Sequence, residues 1–205
     1  VKLYLIRHAQ STANVRKALD TALPGPPLTD LGREQAEALA DELADVPVAA
    51  VYASEATRAQ QTAAPLGRSK GLDVQVLKGV QEVYVGDLEG NTDRESIQTY
   101  VDTVGPWLRG DLGGAMPGGE SGEQVRSRYL GAVGDLRARH ADTDPDAVVA
   151  LVSHGGAIRL GADWLSDNVR PEFADVGLLP NTGIVVLETL PDGGWTCLRW
   201  AGVTV

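Results

Sequence analysis

The chain alternates between short unbroken apolar runs and longer stretches of helical period. Leu3 to Arg7 opens with such a run, of a length that suits a buried strand. Val46 to Ala53, Val74 to Leu77 and Val148 to Val152 have the same character. Between them, Thr29 or Asp30 caps a predicted helix reaching about Ala44. There Ala36, Leu39, Ala40 and Leu43 recur at spacings of three, one and three. Glu55 to Lys70 predicts a second helix, with Pro65 near a kink or end and Gly71 as its stop. Glu123 to His140 and Gly156 to Leu165 predict two more. Gly183 to Leu187 and Trp195 to Ala201, joined by the turn Asp192-Gly193-Gly194, predict a hairpin. Strands alternating with helices imply an α/β fold, a mostly parallel central sheet with an antiparallel edge.

Two segments break the rhythm. Pro24, Gly25, Pro26 and Pro27 make Ala18 to Leu28 a loop. Residues 86–120 carry eight glycines with Pro106 and Pro117, around one predicted helix from Asp93 to Trp107. That composition suits a cap-like insertion on a single domain spanning 1–205, and a chain of 205 residues fits one domain.

Composition narrows the function classes. A net charge of -10 opposes nucleic-acid binding, which needs a basic footprint. No apolar run approaches the roughly 18 residues of a membrane helix, so no membrane partner is expected. One cysteine, Cys197, allows no internal disulfide, and with three histidines it makes a structural zinc site unfavourable. The first residues read as a strand, not as a signal peptide, and the expected setting is cytoplasmic.

In α/β sheets, ligands sit beyond the carboxyl ends of the strands. Arg7-His8 follows the first run, Arg58 opens the helix after the second, Glu82 follows the third, and Ser153-His154-Gly155-Gly156 follows the fourth. Each is ordinary alone. Their joint placement is the signal. Two guanidinium groups and a helix start suit a phosphoryl group. Neutral imidazole is a nucleophile at phosphorus, and a carboxylic acid can protonate a leaving alcohol. Cationic side chains supply the charge neutralisation, so neither metal nor cofactor is required.

Leu5-Ile6-Arg7-His8-Ala9-Gln10-Ser11-Thr12-Ala13-Asn14 resembles the signature of the histidine phosphatase superfamily, also called phosphoglycerate mutase-like. Leu28 to Ala36, Tyr52 to Ala63, Glu82 with Gly86 to Gly90, Pro117 to Ser121 and Val152 to Gly156 continue the resemblance in the family's order. It implies a three-layer sandwich with His8 as the nucleophile and Glu82 as the proton donor. It makes Arg7, Arg58 and His154 catalytic ligands of the transferring phosphoryl group. Asn14 and the Gly155 amide become further phosphate contacts, and Asn181-Thr182-Gly183 a loop near the site. The implied substrate is a small-molecule phosphate ester. A homodimer is an option, since dimers are common among relatives.

The chain departs from the family at Ala9, where glycine is usual, and at Gln10, where glutamate is common. Its loop from Asp20 to Pro27 replaces a glycine-arginine-x-glutamine-glycine pattern beside the substrate. Mutases of the family carry tyrosine at Val85 and lysine at Asp93. Aspartate there would repel an anion by about 1 kcal/mol. The phosphatase branch is therefore expected. The alternatives are mutase-type phosphoryl transfer and a catalytically silent phosphate-binding module on the same fold.

Overall fold

The computed structural model describes residues 1–169 and 179–205. In chain order the elements are β1 (Lys2–Arg7), α1 (Thr12–Arg16), α2 (Asp30–Glu42), β2 (Val48–Ala53), α3 (Thr57–Lys70) and β3 (Val74–Val76). A 3-10 turn follows at Gly86–Leu88. Then come α4 (Arg94–Trp107), α5 (Gly122–Arg139), β4 (Val148–Ser153), α6 (Gly155–Leu165), β5 (Ile184–Thr189), β6 (Trp195–Trp200) and β7 (Val203–Thr204).

The strands form one sheet in the order β3-β2-β4-β1-β5-β6-β7. Pairings from β3 to β1 are parallel. Those from β1 outward to β7 are antiparallel. Alternation along β1 splits the core in two. Leu3 and Leu5 pack with Tyr129, Val133 and Leu136 of α5 and with Ala157 and Ile158 of α6. Ile6, with Tyr4 packed against it, faces Leu39 and Leu43 at α2 and Ala59, Ala63 and Leu66 of α3. Each such buried aliphatic side chain contributes about 1.5–3 kcal/mol over exposure. The sandwich thus has a helical layer on each face of the sheet.

Local chemistry sets the element ends. Thr29 caps α2 by accepting from the Gly32 amide at 3.0 Å. Gly71 ends α3 in the left-handed region at φ 66°. Helix α3 begins at Thr57, two residues later than predicted, because Ala56 keeps extended backbone. Pro65 lies inside the helix and does not end it. Two short elements lie outside the predicted set, α1 and β7.

Residues 86–120 contribute α4 and a third apolar cluster. Val104, Trp107 and Met116 meet Val83, Val85, Val125 and Leu160 there. Trp107 is fully buried and its indole N–H donates to the Gly114 carbonyl at 2.9 Å. Both Trp107 and Met116 therefore serve packing. Asp93, at the position of the mutase lysine, is the N-cap of α4, accepting from the Ser96 amide and hydroxyl at 2.9 Å each.

Candidate active site

The parallel ladder carries the first residues of the site past the strand ends. The His8 amide donates to the Ser153 carbonyl and the Ser54 amide to the Val152 carbonyl, each at 3.0 Å. His8, Ser54 and His154 are thereby brought together at the carboxyl edge of β1, β2 and β4. The His8 and His154 rings stand 5.2 Å apart, tilted by 59°. Arg58 reaches the same point from the first turn of α3 and is only 3% exposed.

The partners of His8 select its tautomer. Nδ1 lies 2.7 Å from the Ala9 carbonyl, which can only accept, so Nδ1 carries the proton. Arg58 Nε donates to His8 Nε2 at 3.2 Å, so Nε2 holds the lone pair. Burial, followed by the Arg58 charge, lowers the His8 pKa to about 3, and the ring is neutral near pH 7. Two side chains lock this arrangement. Thr62 Oγ1 accepts from the Ala9 amide at 2.9 Å and donates to the Arg58 carbonyl at 2.7 Å. Asn181 Nδ2 donates to the His8 carbonyl at 3.0 Å and to Asn14 Oδ1 at 3.2 Å.

His154 is fully buried, and burial holds its pKa well below the ordinary value. Ser54 Oγ accepts from the Ala56 amide at 3.3 Å and lies 2.7 Å from His154 Nε2. With the serine hydrogen turned to His154 Nε2, the ring proton falls on Nδ1. Among the described residues that Nδ1 is buried without a partner. So are Arg7 Nε and Arg58 Nη1, although Arg7 Nη1 donates to the Leu179 carbonyl. Three buried donors with no acceptor, two of them on guanidinium groups, are costly unless an anion completes them.

Glu82 closes the other side. Its Oε1 accepts from the Val83 and Ala157 amides at 2.9 Å each, and its Oε2 from the Gly156 amide at 3.1 Å. The carboxyl group is therefore held at the N-terminus of α6 by the first amides of that helix. Gly156 has no room for a side chain. A Cβ there would lie 2.8 Å from Glu82 Oε1 and 2.6 Å from the Tyr100 hydroxyl. The Gly155 amide at the same helix start has no partner among the described residues. Asn14 is half-buried and partly committed elsewhere. Its Oδ1 also accepts from the Ser11 amide at 3.0 Å, in the capping box of α1. Only its Nδ2 is left without a partner among the described residues.

Sequence reasoning missed the residue that holds Glu82 in place. Arg128 on α5 donates to the carbonyls of Gly79, Gln81 and Glu82 at 2.8, 2.9 and 3.0 Å. Its Nε pairs with Glu120 Oε2 at 2.7 Å. One arginine within a polar helix gives no signal for such a clamp. Two open hollows lie elsewhere, one beside Arg137 and His140 and one along α4 between Arg94 and Asp102. Neither pairs a nucleophile with an acid. Among the described residues no group of three or more His, Cys, Asp or Glu could hold a metal, and no helix is long and apolar enough to cross a membrane.

Fold and site together define an α/β sandwich that gathers two histidines and two arginines at the sheet's carboxyl edge. The chain belongs to the histidine phosphatase superfamily (branch 1), whose family model matches residues 3–202. It is 35% identical over 212 residues to the PE-PGRS family protein PE_PGRS11 of Mycobacterium tuberculosis. That match covers 98% of this chain and 36% of the relative, so the chain spans about a third of that protein. It is also 35% identical to glucosyl-3-phosphoglycerate phosphatase of Mycolicibacterium vanbaalenii, over 77% of this chain and 70% of that one. Among solved structures, mycobacterial glucosyl-3-phosphoglycerate phosphatase in complex with VO3 superposes with a TM-score of 0.82 at 30% identity. Coverage there is 97% of this chain and 98% of that chain.

Proposed function

We propose that this chain is a metal-independent phosphomonoester hydrolase that works on a small phosphorylated metabolite through a phosphohistidine intermediate. The observation that carries the reading is the set of three buried donors without acceptors, Arg7 Nε, Arg58 Nη1 and His154 Nδ1, beside a neutral histidine. A phosphoryl group supplies the missing oxygens. His8 Nε2 then attacks phosphorus, the ester P–O bond breaks, and the leaving oxygen takes a proton from Glu82. The Nδ1–H bond to the Ala9 carbonyl steadies the positive ring as the P–N bond forms. In the second step Glu82, now a carboxylate, takes a proton from water. The water oxygen attacks phosphorus, the P–N bond breaks, and neutral His8 returns.

Hydrolysis is favoured over mutase chemistry by Asp93 and Val85. The first is spent on capping α4 and the second is buried, so neither provides a cationic or hydroxyl contact to a second anionic group. The phosphatase names of two relatives point the same way. Arginine and imidazole donors take the place of a metal. A single buried cysteine suits a cytoplasmic setting.

The test is phosphate release from a panel of phosphomonoesters in EDTA, with product isomers read in the same samples. His8→Ala should lose activity by a factor on the order of 10³ or more, as removal of a covalent nucleophile does. Glu82→Gln should slow the first step most for poor leaving groups. Full activity in His8→Ala defeats the nucleophile assignment. Isomerisation without release makes the chain a mutase, and neither activity makes it a silent binding module.

A further inference from the structure

The loop between β1 and α2 holds a carboxylate that the proposed reaction does not use. Asp20 is half-buried, and its side chain makes no hydrogen bond or ion pair among the described residues. Its backbone carbonyl accepts from Arg58 Nη2 at 3.2 Å. This fastens the loop to the guanidinium group that faces His8. Gly25, in the left-handed region at φ 73°, packs between them with no room for a side chain. A Cβ at Gly25 would lie 2.5 Å from Arg58 Nη1 and 3.6 Å from Asp20 Oδ1. The Asp20 carboxylate and the buried, unpartnered edge of Arg58 therefore border the same small space.

The backbone on either side of Asp20 is also fixed in position. Glu89 accepts from the Thr21 amide at 2.7 Å, the Thr21 hydroxyl at 2.6 Å and the Ala22 amide at 3.0 Å. Leu19 exchanges backbone bonds with Gly90 and Asn91. Thr21 Oγ1 accepts in turn from the Val85 amide at 3.1 Å. Residues on both sides of Asp20 are thus stitched to the segment after Glu82. The charges that face Asp20 are Arg58, Glu89 and Arg16, and burial raises its pKa. A carboxylate on a pinned backbone, with no hydrogen-bond partner among the described residues and beside an arginine proposed to bind phosphate, opposes anions unless something brings it a donor.

We infer that Asp20 selects the leaving group of the ester. It accepts a hydroxyl or ammonium hydrogen close to the phosphate and rejects substrates with a second anion at that place. The inference rests on the phosphatase reading and deepens it. The substrate class becomes polyol, sugar or amino phosphates, as opposed to phosphoglycerates and bisphosphates.

Glycerol 1-phosphate and 3-phosphoglycerate test this cleanly. They differ only in a hydroxymethyl group against a carboxylate on the same carbon. The native chain should favour glycerol 1-phosphate in kcat/KM by about tenfold or more, and Asp20→Asn should remove about tenfold of that ratio. The ratio is internal to each protein, so a partial loss of activity does not disturb it. Asp20→Ser serves the same purpose where the asparagine variant fails to fold. A native preference for 3-phosphoglycerate, or a ratio unchanged in the variant, overturns the inference. Phenyl phosphate separates the two readings. If the native chain hydrolyses it but shows no discrimination, only the role of Asp20 falls. If it hydrolyses none of the three, the phosphatase reading falls as well.

Discussion

His8 combines two demands that usually conflict. A nucleophilic imidazole must be neutral and must also present one nitrogen toward phosphorus. Burial and the Arg58 charge meet the first, and the Ala9 carbonyl meets the second. Arg58 has two tasks in turn. It donates to the nitrogen proposed to attack, and its Nη1 has no acceptor among the described residues. Binding a phosphoryl group can draw the guanidinium from one acceptor to the other and free the Nε2 lone pair. These couplings predict that Arg58→Met raises the His8 pKa above its native value of about 3. It should stay below 6.5, because burial is the larger cause of the shift. NMR titration of the imidazole resonances in the phosphate-free protein measures this. An unchanged pKa would mean that Arg58 does not set the charge state of the nucleophile.

Helix α5 shows how a distant element can position Glu82, the proposed proton donor. Its Arg128 gathers the carbonyls of Gly79, Gln81 and Glu82 while Glu120 neutralises it. Arg128→Met should leave Glu82 chemically intact but poorly placed. A misplaced acid costs more as the leaving group becomes a worse one. The expected loss in kcat is about tenfold for alkyl phosphates and clearly smaller for p-nitrophenyl phosphate, with KM little changed. An equal loss for both esters would make the arginine merely structural. Sequence periodicity reached most elements at this scale, because the central strands are continuous apolar runs and α2 keeps a clear helical stripe. It missed α1, a five-residue helix whose capping box uses Asn14 in place of the usual glutamate or glutamine. It also missed β7, where two residues after Gly202 carry no periodicity. The candidate site was legible where its groups follow strand ends. Ser54, Thr62 and Arg128 were not singled out for their supporting roles, since each acts through a partner far away in sequence. Asp20 was legible only as part of an unusual loop.

At the scale of the whole molecule, burying neutral histidines links stability to pH. A histidine titrates near 6.5 in the unfolded chain. In the fold, His8 titrates near 3, and His154 is also held well below 6.5. Between those values the unfolded chain binds protons that the folded chain refuses, so stability falls as pH drops below 6.5. The contribution is fully present above that pH and levels off only below about 3. Within the window His8 accounts for about 1.4 kcal/mol per pH unit, and His154 acts in the same direction. Carboxylates add their own slopes at the acid end, so the native curve alone cannot be assigned to His8. Asn in place of His8 removes one titrating ring from both states while keeping a polar side chain of similar size. Urea unfolding of His8→Asn between pH 4.5 and 6, in a buffer without phosphate, should show a slope shallower than the native one by about 1.4 kcal/mol per pH unit. Equal slopes would mean that His8 takes up its proton within the fold. Burial and the Arg58 charge would then not be what keeps the proposed nucleophile neutral. Adding inorganic phosphate should stabilise the native protein, because a ligand that binds only the folded state shifts unfolding by mass action. That gain should be smaller in Arg58→Met, which lacks one of the three waiting donors.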